Sequence, residues 1–107
     1  MFIIGNDYRG DIQIKSPMGW VKTEVSLHID SETAVSGQAK LLGFTVDLTD
    51  AVRDGDHVHA AAAPKLPFGV LCVEINGDVA EDGTVTGIAN APHHRPMEIK
   101  GQMVLSE

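Results

Sequence analysis

Basic residues are scarce in this sequence: eight Lys and Arg stand against fifteen Asp and Glu, a net charge of −7 with histidine neutral. A nucleic acid or an anionic membrane surface would meet general repulsion, and neither is expected as a partner. Cysteine is nearly absent. The single Cys72 cannot close an intrachain disulfide, and its place in an apolar run reads as a strand or core residue. Only 5% of residues are aromatic while glycine reaches eleven, a balance that favours tight turns over bulky packing. Long apolar runs are missing too. The N-terminal stretch carries a three-residue run, Phe2, Ile3 and Ile4, with no basic segment ahead of it, far short of a signal peptide or a spanning helix. A cytoplasmic location is the expectation. The sequence also lacks G-x-S-x-G, a phosphate-binding glycine loop and a dinucleotide fingerprint, so no cofactor is expected and catalysis is disfavoured.

What remains at 107 residues, 43% of them hydrophobic, is enough to build one core without metals or cross-links. Helical patterns are rare because Gly or Pro interrupts nearly every window. The best candidate, residues 56–63, ends at Pro64 and alternates through His57, Val58 and His59, which predicts a strand. Alternation is plain elsewhere. Val21, Thr23, Val25, Leu27 and Ile29 interleave with Lys22, Glu24, Ser26 and His28, placing the odd positions inward. Val35, Gly37, Ala39 and Leu41 follow, then Phe44, Val46 and Leu48. The second half repeats the pattern through Leu71, Val73 and Ile75, then Val85, Gly87 and Ala89, then Met97, Ile99, Met103 and Leu105.

The repetition has one constant offset of fifty. Met18-Gly19 matches Phe68-Gly69, Glu24 matches Glu74, and residues 35–39 match 85–89, with five of 22 positions identical and no gap. Chance would supply roughly one or two, so an internal duplication is the better reading. An even offset also preserves which side chains face inward. A first strand around Asp11 to Lys15 and a counterpart around His57 to Ala63 bring the total to about eight antiparallel strands. The expected fold is therefore all-β, an up-and-down barrel or a split barrel or two-sheet sandwich, in a single domain with repeats at about 10–52 and 57–105. The inward Gly37, Ala39, Gly87 and Ala89 either leave a cavity or let a small barrel close. Asp82-Gly83 is favoured over Asn76-Gly77 as the hairpin turn of the second half.

A Pro-Met-Gly or Pro-Phe-Gly connection at residues 17–19 and 67–69, then a strand, an acidic turn and Ser/Thr-Gly-x-Ala, resembles small bacterial β proteins with calycin-like or lipocalin-like barrels. The resemblance spans roughly residues 10–104 and implies a barrel with an apolar pocket. It carries over no catalytic residue.

Candidate chemistry is thin. His57 and His59 share one strand face, while His93 and His94 fall at the other end of a meander, so the four cannot hold one metal. No metal site is expected, although His57 and His59 with Asp54 or Asp56 leave the question open. The acidic runs at Asp47, Asp50, Asp54 and Asp56, and at Asp78, Glu81 and Asp82, lack calcium-loop spacing and read as turn residues. Glu24 and Glu74 point outward, which disfavours acid–base work. Apolar residues at matched connections, Met18, Trp20, Phe68 and Val70, together with Phe44, are the candidate ligand-binding residues at a barrel mouth. The expected function is a non-enzymatic module binding a small apolar ligand or a protein partner. The alternatives are a small barrel enzyme, an isomerase or cyclase acting on an apolar substrate, and a structural homo-oligomer. Ile3 and Ile4 suggest an edge strand paired across a homodimer.

Overall fold

A computed structural model describes residues 2–17, 19–41, 43–63, 65–66, 69–70, 72–92 and 94–106. The alternating pattern yields β1 (Asp7–Ser16), β2 (Gly19–Ile29), β3 (Val35–Leu41), β4 (Phe44–Asp47), β5 (Thr49–Asp54) and β6 (His57–Ala62). The second half continues with β7 (Lys65–Leu66), β8 (Gly69–Val70), β9 (Val73–Val79), β10 (Thr84–Asn90) and β11 (Met97–Leu105). Every pairing is antiparallel. Among the described residues none is helical, and no helix is long and apolar enough to cross a membrane. The alanine run of β6 is a strand, as alternation predicts, because a stretch this short cannot offset the cost of nucleating a helix.

Nine strands form one sheet in the order β4-β3-β2-β1-β11-β10-β9-β6-β5. Its two outer members, β4 and β5, are consecutive stretches of one segment separated only by Leu48, so the sheet curls into a nearly closed barrel. The Leu48 amide still donates to the Gly37 carbonyl at 2.9 Å, continuing the ladder with β3. Further along, Ala34 bridges Val52 and the Arg53 amide donates to the Thr33 carbonyl at 2.9 Å, while β5 itself pairs with β6. A register shift between Thr49 and Val52, with Asp50 at a left-handed φ of 50°, marks the bulge where the segment passes from one neighbour to the other. The fourth strand of each half thereby meets the first strand of the other: β5 pairs with β6, and β11 with β1.

Within each half the pairing recurs at the fifty-residue offset. Asp7 faces His28 and His57 faces Asp78; Ile29 faces Val35 and Val79 faces Val85; Lys15 faces Trp20 and Lys65 faces Val70. Asp82-Gly83 forms the turn between β9 and β10, with Gly83 at φ 90°, while Asn76-Gly77 runs on inside β9. One difference separates the halves. The first hairpin is continuous from β1 into β2, whereas its counterpart is cut into β6 with β7 and β8 with β9. Between β6 and β7 the sequence carries Pro64, which has no amide hydrogen to give a ladder. That cut, and the division at Leu48, account for eleven strands where about eight are expected.

Ile12, Leu27, Ile29, Val35, Val79, Val85, Ile99 and Met103 make the core with Tyr8 and Ala89. One end is covered by the N-terminal residues: Phe2 packs edge-on against Tyr8 with ring centroids 5.1 Å apart, and the Ile3 amide donates to the Tyr8 hydroxyl at 2.9 Å. The Gly5 amide donates to the Ile29 carbonyl at 2.8 Å. Ile3 and Ile4 therefore belong to a covering turn, not to the edge strand that their sequence suggests.

The inward glycines sit where neighbouring strands come close together. A Cβ at Gly37 would collide with the carbonyl oxygen of Ser26, and one at Gly87 with that of Asn76, the same position fifty residues on. Strand backbones approach each other at these two places, as tightly coiled sheets require. Glycine at both positions lets the neighbouring backbones approach.

Candidate functional site

The barrel has two distinct ends. One carries the N-terminal turn and the β2–β3 and β9–β10 connections; the other carries the β1–β2, β3–β4 and β7–β8 turns and the long connection into β11. The candidate ligand-binding residues gather at the latter end. Trp20 is 42% exposed, Phe44 49% and Val70 58%, while Met18 and Phe68 lie outside the described residues. Trp20 and Val70 belong to the even-numbered, outward positions of their strands, so they mark the outer wall near the mouth and not the barrel interior.

Trp20 is occupied. The Lys100 Nζ sits 4.3 Å from its ring centroid, a cation–π contact between β2 and β11. On the intervening strand β1, Trp20 pairs with Lys15 and Lys100 pairs with Gln13, so the contact spans the outer face of β1.

The corresponding path in the second half runs from β9 across β6 to β5, and there the side chains are small. Val70 stands for Trp20, Ala63 for Gln13, Ala61 for Asp11 and Cys72 for Lys22 at the fifty-residue offset. On β5, Thr49 pairs with Ala61 where Gln102 pairs with Asp11, so Thr49 stands for Gln102. A groove of about 430 Å³ opens here, lined by Thr49 and by residues 61–63, 72–74 and 90–92. Its walls are mostly apolar, and Glu74 is the sole charged residue among those lining it. None of Trp20, Phe44 or Val70 lines the groove. Sequence reasoning missed it because the signal lies in a difference between the halves. The run Ala61-Ala62-Ala63 standing opposite Asp11-Ile12-Gln13 was the legible trace.

A second concavity, about 360 Å³ and more polar, lies at the opposite end against Asp7, Ser26, His28, Ser36 and Gln38. Here His28 Nδ1 donates to Asp7 Oδ1 at 2.7 Å. The second half holds the same pair with the partners exchanged, His57 Nδ1 donating to Asp78 Oδ1 at 2.9 Å, and His59 Nδ1 donates to Asn76 Oδ1 at 2.7 Å. His57 and His59 thus lie on β6, as alternation predicts, and each is engaged by a partner on β9. His94 lies in the connection to β11 at the other end, and His93 is outside the described residues. Among the described residues no three His, Cys, Asp or Glu come together as metal ligands. Glu24, Glu74 and Cys72 are exposed on the outer wall.

Two polar groups distinguish the halves inside and at the turns. Thr23, 5% exposed, points its hydroxyl into the core, where Oγ1 finds no partner among the described residues; Val73 takes that place in the second half. At the β9–β10 turn the Thr84 amide donates to Asp82 Oδ1 at 2.9 Å, which with the Thr84 hydroxyl holds the carboxyl below its ordinary value. At the matching turn the Ala34 amide donates instead to the neutral Ser31 Oγ at 2.9 Å.

No protein family, curated protein or solved structure matches the chain.

Proposed function

We propose that this chain is a non-enzymatic, cytoplasmic β-barrel binding module that takes a small apolar group in the groove between β5, β6 and β9. One observation carries the reading: the first half covers the equivalent surface with Trp20 and Lys100, and the second half leaves it open with alanine, valine and threonine. Burying apolar wall under a ligand removes it from water, worth roughly 25 cal/mol per Å². An apolar binding region at this end of the barrel is what the resemblance to lipocalin-like barrels leads one to expect. The groove lies at the same end as the candidate mouth residues, and the interior is taken up by core side chains such as Ile12, Leu27 and Val85.

The test is titration with a panel of apolar fluorescent dyes against the whole chain and against Ala63→Trp, which places an indole in the groove. Saturable binding by the parent chain and its loss in Ala63→Trp, with an unchanged melting temperature, support the reading. No binding by the parent, or equal binding by both, overturns it.

A further inference from the structure

We infer that the group bound in the groove is a flat aromatic ring bearing a positive charge, such as an arylalkyl ammonium or an aryl quaternary ammonium. The inference rests on the groove being the binding region. Shape comes from the repeat. In the first half the equivalent path across the sheet is bridged by an indole that reaches from β2 over β1 to Lys100 on β11. In the second half Val70 is too short to make that reach, and Ala61 and Ala63 lower the floor beneath it. A planar ring is the group that the same framework already accommodates at this place.

Charge comes from the lining. None of the residues lining the groove is basic, whereas the first half sets Lys100 over Trp20, and Cys72 stands where the first half has Lys22. The groove has kept Glu74, the partner of Glu24 in the repeat, on the strand leading out of it. A carboxylate beside an apolar wall, with no cation among the residues lining it, favours a ligand that brings its own cation and penalises an anion. The net charge of −7 adds to the same preference at long range.

Three dyes sharing one aromatic ring system but carrying a trimethylammonium, a neutral or a sulfonate group test this at 0.15 M salt, where long-range attraction is screened. Fluorescence titration gives affinity, and the rate at which a maleimide modifies Cys72 gives location, since the thiol lines the groove and is the only one in the chain. The cationic dye is expected to bind about tenfold tighter than the sulfonate and to slow Cys72 modification. Glu74→Gln should erase most of that preference, whereas Glu24→Gln, which removes the same charge from the other half, should leave it in place. Equal binding of all three dyes, or equal effects of the two substitutions, overturns the charge assignment while leaving the groove as the binding region. If no dye binds and Cys72 is never protected, the groove itself is wrong.

Discussion

The two halves of this barrel share a register, a core and a set of turns, and they differ in what lies on the outer wall near one end. The first half has an unbroken hairpin whose Trp20 reaches across β1 to Lys100; the second has a hairpin interrupted between Ala62 and Lys65 and a groove walled by small side chains. Much of what the halves hold in common is architectural. Gly37 and Gly87 admit the same neighbouring carbonyl, and Ile29 with Val35 and Val79 with Val85 fill the same level of the core. A repeat therefore acts as an internal reference, since one half shows what the framework needs and the departures of the other show where it has been put to a different use.

The largest effect expected from disturbing this equivalence is at the glycines. Gly37→Ala and Gly87→Ala each force a Cβ into a backbone carbonyl, which no side-chain rotation can relieve. Each should cost about 1–3 kcal/mol or more, as overpacking in a closed core does. Denaturant unfolding of the two variants checks the comparison directly. Similar losses mean that the strands approach equally in both halves, and a loss confined to one would break the equivalence.

A smaller effect of opposite sign is expected at Thr23. A buried hydroxyl without a partner gives up its hydrogen bonds to water for nothing, at about 1–3 kcal/mol, and Val73 shows that the framework accepts the isosteric apolar side chain at this level. Thr23→Val should raise stability by about 1 kcal/mol, and Val73→Thr should lower it by less, because Val73 is only partly buried. A melting temperature that falls for Thr23→Val would mean that the hydroxyl has a partner after all and that the halves differ there by design.

These same residues show how much the sequence alone could reveal. Strand parity was legible because apolar and polar side chains alternate with a period of two, and it placed Leu27, Ile29, Val35, Val85 and Ile99 inward, where they are buried. The turn at Asp82-Gly83 was legible from the repeat, since a turn at Asn76-Gly77 would have broken the register. The passage of one segment from β3 to β6 was not legible. It depends on a bulge at Asp50 and on pairing between strands of different halves, which no local pattern encodes. The role of the small inward residues was ambiguous for a related reason: a glycine facing inward looks the same in sequence whether a void or a carbonyl lies opposite. Of the candidate site residues, the exposure of Trp20, Phe44 and Val70 at one end of the barrel was legible from their places at or beside turns. The groove was not, because Trp20 and Lys100 lie eighty residues apart in the chain and only their contact reveals what the second half lacks.

The smallest expected effect concerns pH, and it too separates the halves. Both turns secure the amide two or three residues beyond their acceptor, but the second half does so with the Asp82 carboxylate and the first with the Ser31 hydroxyl. Hydrogen bonding from Thr84 favours the ionised carboxylate in the folded chain, so the Asp82 pKa is lowered relative to the unfolded state. Its stabilising contribution is then fully present above the ordinary aspartate value and is lost as pH falls below that value toward the lowered one. Asp82 is exposed to solvent, which keeps the effect small. Asp82→Asn retains an oxygen that can accept from the Thr84 amide but cannot titrate, so melting temperature should fall less steeply with acid in this variant than in the parent chain. Ser31→Ala should lower melting temperature by a similar amount at every pH, since no proton is exchanged at that turn. A variant pair whose acid slopes are indistinguishable would show that the two turns, despite their different acceptors, respond to pH as one.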